Sequence, residues 1–170
     1  MKEYTFNLAY HLDPSDSDHD VIEGRFDAAG LHDFLLGIGR PGQVGLIVSR
    51  KALSADAALS SIMADAQRML GNARLIEVGP DFSGLTDIAD HVGVSRQNMR
   101  KLMLTNVRTF PLPVHGGNAS VWHTAEILTW LREHAGYEIG DEEIAAAFAA
   151  WRVNAGTEAA RRKRAGHAGA

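Results

Sequence analysis

The segment LTDIADHVGVSRQNMRKLM, residues 85–103, constrains the fold more than any other part of the chain. Its small residue Ala89 lies four positions before Gly93, and the apolar residues Met99 and Leu102 follow six and nine positions after that glycine. A small residue lets two helices approach closely where they cross, and a glycine tolerates the positive φ of a tight turn. The two apolar residues would hold the second helix against the first. This spacing predicts two short helices joined by a sharp turn.

The second of these helices is predicted over 95–104, with Ser95 as its N-cap. Successive helical residues rotate by about 100°, so with Met99 facing inward the opposite face is polar. Amides can bind adenine, and cations can bind guanine, through paired hydrogen bonds in the DNA major groove. The pattern favours a base-reading face, and the alternative is a structural hairpin whose outer face is merely solvated. The two amides and two cations of this face are Gln97, Asn98, Arg100 and Lys101.

Phosphate contacts are predicted for Ser95 and Arg96, at the positive N-terminal end of this helix, and for Arg108 beyond it. The chain has a net charge of −4, which argues against a general nucleic-acid coat. Residues 81–134, however, carry five basic and five acidic groups, and every charged residue between 96 and 108 is basic. A small basic face on a neutral segment suits a reader of specific duplex DNA.

The segment FPLPVHGGNASVWHTAEILTWL, residues 110–131, adds a second pattern. Its two prolines would hold a strand extended at a sheet edge, its Gly-Gly pair would make a tight hairpin turn, and Thr124 would cap the next helix. Together with the preceding helices, over residues 82–134, it resembles the winged helix-turn-helix proteins of the excisionase and mercury-resistance-regulator superfamily. The residues that carry the resemblance are Phe110-Pro111, Pro113, Gly116-Gly117, Trp122 and Trp130-Leu131.

This resemblance implies a fold in which the second helix enters the major groove and a β-hairpin wing touches the flanking DNA backbone. It also implies that the wing tip is formed by His115, Gly116, Gly117 and Asn118. His115 is the only ionisable residue of the tip, unlike in strongly basic wings, so a weak phosphate contact is expected there. More loosely, residues 4–131 look like a family of small bacterial helix-turn-helix proteins with an α/β N-terminal domain.

The first half of the chain predicts a small α/β domain. Alternating apolar residues indicate a strand over 4–12, and helical spacing then runs through Ile22, Phe26, Leu31, Phe34 and Leu35. A strand over 44–49, a helix capped by Ser54 and ended by Gly71-Asn72, and a strand over 74–78 follow. The predicted order is therefore β-α-β-α-β, with two helices on one sheet face. The polar, glycine-bounded residues 79–84 are the predicted linker to the rest of the chain.

The predicted fold class is α+β, with an α/β domain over 1–79, a winged helix-turn-helix over 80–134, and a C-terminal helix with a flexible basic tail over 135–170. The helix would begin near Asp141 and carry apolar residues on one face. That face, or the α/β domain, would form a homodimer, because one helix-turn-helix reads only a few base pairs. The alternative is that the helix packs against its own chain. The apolar residues of the helix are Ile144, Phe148 and Trp151.

These patterns predict a bacterial-type transcriptional regulator that binds specific double-stranded DNA. The two alternatives are a DNA-bending architectural factor of the excisionase kind, and an antitoxin or adaptor whose N-terminal domain binds a protein partner. No catalytic residue, metal site or cofactor is predicted, and the absence of cysteine excludes disulfides and thiolate zinc sites. No apolar run approaches the length of a membrane span and no signal sequence is recognised, so a cytoplasmic location is expected.

Overall fold

A computed structural model describes residues 1–16, 18–40 and 42–167, and shows a mixed α+β fold. The strands are β1 (Lys2–His11), β2 (Phe34–Arg40), β3 (Gln43–Ala52), β4 (Arg74–Gly79), β5 (Phe82–Gly84) and β6 (Val121–His123). The helices are α1 (His19–Ala28), α2 (Ala55–Leu70), α3 (Leu85–His91), α4 (Arg96–Thr105), α5 (Thr124–His134) and α6 (Asp141–His167).

The first four strands form one antiparallel sheet in the order β2-β3-β1-β4. With α1 after β1 and α2 after β3, the order along the chain is β-α-β-β-α-β, which is the split β-α-β, or ferredoxin-like, arrangement. Alternate residues of β1 face the helices, as the predicted strand requires, and Phe6 and Leu8 are almost completely buried. The predicted cap of α2 is also confirmed, because the Ser54 hydroxyl accepts a hydrogen bond from the Ala57 amide.

The predicted β-α-β-α-β order is wrong by one strand. The helical spacing that begins at Ile22 ends at Ala28, and Gly30, with φ of 70°, turns the chain. Phe34 is buried and Leu35 exposed, which is the alternation of a strand, and Phe34 pairs in register with Val48 of β3. Two apolar residues next to each other fit either period, so the hydrogen bonds offered by β3 decided the structure.

The predicted linker over 79–84 is also wrong, because β5 occupies its second half and pairs with β6. Asp81, just before β5, is only 3% exposed. One carboxylate oxygen of Asp81 lies 2.7 Å from Nδ1 of His123, and the other accepts a hydrogen bond of 2.7 Å from the Asn154 side chain. Polar residues that look like a linker are therefore buried here, because distant residues satisfy their hydrogen bonds.

The C-terminal helix α6 begins at Asp141 as predicted, but it continues to His167, so the predicted frayed tail is helical over 156–167; residues 168–170 lie outside the described residues. Its small residues pack into the core of the four-stranded sheet, and its larger apolar residues pack into a second core around α3 and α5. The helix therefore joins the two cores. The residues in the first core are Ala146, Ala149 and Ala150, and those in the second are Ile144 and Phe148.

Polar contacts tie α6 to the sheet as well. The Asn154 side chain accepts a hydrogen bond from the backbone N–H of Val78 and donates one to its carbonyl, at 2.8 and 2.7 Å. The Trp151 ring stacks on His123 with centroids 3.8 Å apart.

Among the described residues no helix is both long and apolar enough to cross a membrane.

Candidate nucleic-acid interface

The predicted helix pair is present as α3 and α4, separated by residues 92–95. Gly93 has φ of 70°, a conformation that glycine adopts without steric cost. The turn is closed by the Val94 amide, which donates a hydrogen bond of 2.9 Å to the carbonyl of Ala89. The backbone conformation predicted from the glycine is therefore the one observed.

The inner face of this pair is closely packed. Ala89 and Met99 are fully buried, and Ile88 is 2% exposed. Leu102 and Val92 lie partly buried at the edge of the same core. Because Met99 is held on all sides, the orientation of α4 is set by packing, and the direction of its outer side chains is set with it.

The start of α4 is capped by Ser95, whose hydroxyl accepts a hydrogen bond of 3.1 Å from the Asn98 amide. No acidic residue lies in the first turn, and Arg96 occupies the first helical position. The positive end of the helix dipole and a guanidinium therefore lie close together at the surface. Such an end suits an anionic group such as a phosphate.

The outer face of α4 is exposed to solvent at every predicted base-reading position. None of these side chains makes a hydrogen bond or an ion pair with another described residue, and the same holds for Arg96 and Arg108. By contrast, Arg132 of α5 lies 2.7 Å from Asp141, and Arg152 of α6 lies 2.7 Å from Asp56. The predicted reading positions keep all their donors and acceptors available, and they are Gln97, Asn98, Arg100 and Lys101.

Arg108 lies in the turn that follows α4. The carbonyl of Asn106 accepts hydrogen bonds from the amides of Thr109 and Phe110, at 2.9 and 2.8 Å. Phe110 is buried, with its ring 4.9 Å from that of Trp130. This anchoring keeps Arg108 at the surface near the C-terminal end of α4.

The loop over 111–120, which is the predicted wing, is attached to the second core at its base. Trp122 is buried and donates a hydrogen bond of 3.0 Å from Nε1 to the carbonyl of Pro111. A single bridge joins His115 to Val121, through the Val121 amide and the His115 carbonyl at 3.0 Å. The predicted tip residues His115, Gly116, Gly117 and Asn118 are all exposed, and the last three lie beyond that bridge.

Two local predictions about this region are wrong. Gly116 and Gly117 do not have the positive φ that a tight type I′ hairpin turn needs, so the tip is a wider bend. Thr124 does not cap α5, because α5 begins at that residue and its hydroxyl instead bonds to the hydroxyl of Ser83 at 2.7 Å. The pairing of β5 with β6 brings these two hydroxyls together, which the sequence pattern does not reveal.

The residues that sequence reasoning missed are those that join the two cores, namely Asp81, His123 and Asn154. The side chain of His123 is only 14% exposed, and its Nδ1 lies 2.7 Å from a carboxylate oxygen of Asp81. An aspartate, a histidine and an asparagine far apart in sequence carry no shared spacing that would predict their contact. The character of the interface follows from its exposed side chains, whose donors have no partner among the described residues.

Among the described residues, one group of side chains has the spacing to ligate a metal ion, formed by His19, Asp20 and Glu23. All three are exposed in the first turns of α1, where acidic side chains are ordinarily solvated.

In comparisons with known proteins, no family model, no curated protein and no solved structure matches the chain. What the interface can do therefore follows from its own residues.

Proposed function

We propose that this chain is a winged helix-turn-helix protein that binds specific sequences of double-stranded DNA, as a bacterial-type transcriptional regulator. In this proposal α3 and α4 form the helix-turn-helix, and α4 enters the major groove. The loop over 111–120 is the wing beside it.

The observation that carries the proposal is the contrast between the two faces of α4. Its inner face is anchored by the fully buried Met99, while its outer face presents four polar side chains with no partner among the described residues. Ordering long polar side chains at a surface stabilises a monomer little, so these side chains are free to contact a ligand. The groups offered are amides and cations, which are the groups that read base edges.

The dimensions of α4 fit the groove. A helix of ten residues is about 15 Å long, and the major groove, about 12 Å wide, admits one helix. Gln97 and Asn98 lie in the first turn and Arg100 and Lys101 in the next, so the N-terminal half of α4 would contact the bases. The amides would pair with adenine and the cations with guanine.

Phosphate contacts would position this helix in the groove. Ser95 and Arg96 lie at the N-terminal end of α4, and Arg108 lies beyond its C-terminal end. Groups at both ends of the helix would contact the backbone on either side of the groove, and they would set the register without reading sequence. The wing tip adds only His115 as an ionisable group, so its contribution to affinity would be small.

A regulator of this type would act as a homodimer. One recognition helix contacts only a few base pairs, and two copies on half-sites about one helical turn apart supply the length that specific binding needs. The paired half-sites would form an inverted repeat that mirrors the two-fold symmetry of the protein.

The proposal is tested by selecting the purified full-length chain on random duplexes at a stated salt concentration. An enriched motif is expected, and Gln97→Ala or Arg100→Ala should cost about 1–3 kcal/mol of binding free energy on that motif and relax the preference at one position. Arg74→Ala is the matched control, since Arg74 is an exposed arginine of β4 away from the interface. Recovery of no motif, or a motif indifferent to both α4 variants, would refute the proposal.

A further inference from the structure

A cleft lies between the four-stranded sheet and the helices of the second core, and we call it the junction cleft. One wall is β1, which contributes the exposed residues Glu3, Thr5 and Asn7 from one side of the strand. The other wall is built from α3, α5 and the first turns of α6. The volume of the cleft is about 420 Å³, which is the size of a small-molecule site, and such sites occur preferentially between domains.

The interior of the junction cleft is apolar. Ile88 of α3 and Ile127 and Leu128 of α5 line it, and each of the three is at most 2% exposed. The exposed residues of the lining are all polar. This division suits a ligand that has an apolar body and a polar end.

Two buried hydroxyl groups also line the junction cleft. Ser83 is 9% exposed and Thr124 is 6% exposed, and their hydroxyl oxygens lie 2.7 Å apart. Each hydroxyl has one hydrogen to donate, and the bond between them uses only one of the two. The other hydrogen has no acceptor within the part of the chain that the structure describes. A buried donor without an acceptor costs free energy, so an acceptor on a ligand would be favoured at this point.

The charge of the lining is mainly negative. Its only basic side chain is His91, whose Nε2 lies 2.8 Å from a carboxylate oxygen of Glu143. Lys2, beside the cleft, lies 2.8 Å from Glu142. Glu3 has no partner of either kind among the described residues. The acidic residues of the lining are Glu3, Asp87, Glu142 and Glu143.

We propose that the junction cleft binds a small organic cation, with its ammonium group at the mouth, its apolar body against α3 and α5, and a carbonyl at the hydroxyl pair. The carboxylates determine only the sign of the ligand's charge, and the unused hydroxyl hydrogen independently favours an acceptor. Such a ligand would contact Ile88 and His91 of α3, the first helix of the proposed helix-turn-helix. The inference rests on the proposed function only for its consequence, which is that the ligand would be an effector of DNA binding.

Titration of the full-length, isotopically labelled chain with leucinamide, followed by NMR, tests the inference. At about pH 6 the amino group of this probe is protonated, since its ordinary pKa is about 7.7–8.0. Saturable shifts are expected for residues that line the cleft, with a dissociation constant in the millimolar range that suits so small a ligand.

Two matched probes each lack one group of leucinamide. The neutral 4-methylpentanamide has the same apolar body and amide but no ammonium, and 3-methylbutylammonium has the ammonium but no carbonyl. Each should bind about three- to tenfold more weakly than leucinamide, as expected when one hydrogen-bonded group is lost.

Two variants alter the cleft without removing a contact of the fold. Glu3→Gln neutralises an exposed carboxylate and should weaken binding of leucinamide by about two- to fivefold, the range of an exposed charge pair. Asn7→Trp fills the mouth from a strand position, where an aromatic residue is favoured, and should weaken binding by at least about tenfold. Glu23→Gln is the matched control, because Glu23 is exposed on α1 and does not line the cleft. Circular dichroism and thermal unfolding verify that each variant is folded.

The absence of saturable shifts at the cleft with leucinamide at tens of millimolar would overturn the inference. So would equally tight binding of 4-methylpentanamide, or binding of leucinamide that neither Glu3→Gln nor Asn7→Trp weakens. Because the titration contains no DNA, its failure is distinguishable from failure of the duplex selection.

Discussion

Two arginines of this chain lie in contrasting surroundings, Arg50 in the four-stranded sheet and Arg100 on α4. The Arg50 side chain is 16% exposed; it donates to Asp33 through Nε and Nη2 at 2.9 and 2.7 Å and to Asp65 through Nη1 at 2.6 Å. Its guanidinium also lies over the ring of Phe34, 5.4 Å from the centroid. Arg100 is exposed and has no such partner among the described residues.

The two arginines therefore have different roles, one in stability and one at an exposed surface. In the sheet region, an arginine whose donors are satisfied joins the segment before β2 to α2 and contributes to stability. On α4, the donors of Arg100 are exposed to solvent, so they contribute little to folding and remain available to a ligand. Variants in the first group should therefore change the free energy of unfolding, and variants in the second should change only DNA binding.

The largest effect is expected at Met99→Ala, which removes the anchor on the inner face of α4. Met99 is fully buried, so the free energy of unfolding should fall by about 2–5 kcal/mol from lost burial and the cavity left behind. Denaturant unfolding measures it. Leu104→Ala, at a residue of the same helix that is 54% exposed, should cost far less. Equal effects of the two variants would show that α4 is not anchored through Met99.

The next effect is expected at Arg50→Ala. Removing the guanidinium leaves Asp33 and Asp65 close together without their cation, and the free energy of unfolding should fall by about 1–3 kcal/mol. The figure is below that of a fully buried pair because both carboxylates keep some exposure. DNA affinity per folded molecule should not change. A loss of DNA binding without a loss of stability would contradict the division between the two regions.

Smaller changes in the free energy of unfolding, of opposite sign, are expected for substitutions at two glycines. Gly93→Ala should destabilise the chain by about 1 kcal/mol, since alanine is strained at φ of 70°. Gly24→Ala should stabilise it by about 0.5–1 kcal/mol, because Gly24 lies inside α1 and an added Cβ there meets nothing within 4 Å. Thermal unfolding of the two variants should thus shift in opposite directions, and a shared direction would refute the turn geometry.

The smallest effect is expected at Arg108→Ala, which removes one predicted phosphate contact. Binding should weaken by a similar factor on all sequences, and the slope of log affinity against log salt should fall by about 1. The titration is repeated with Gln97→Ala, which should alter sequence preference without changing that slope. If Arg108→Ala altered preference and left the slope intact, the assignment of Arg108 to phosphate would be wrong.

Much of the helix pair could be predicted from residues 85–103, because the constraints there are local. Gly93 needs its backbone angle, Ser95 caps the helix that follows it, and Met99 is buried at the spacing expected. The strand β2 could not be predicted in the same way. Phe34 and Leu35 fit a helix as well as a strand, and only the pairing with β3 distinguishes the two.

The junction between the two cores was equally invisible in the sequence. Asp81 lies in a stretch with the composition of a linker, and its burial depends on His123 and Asn154, which are 42 and 73 residues away. Hydrogen-bond partners at such distances leave no periodic trace. The same reason explains why Thr124 was predicted to be a cap and instead bonds to Ser83.

By itself, the sequence determined the places where a residue type and a backbone requirement coincide over a few positions. These include the Gly93 turn, the caps at Ser54 and Ser95, and the polar outer face of α4. Only the tertiary structure decided that the apolar face of α6 is covered by its own chain and that Leu35 and Ile47 of the sheet stay exposed. The physical reason is that burial depends on which surfaces come into contact. Segments far apart in the chain come into contact only when the chain folds.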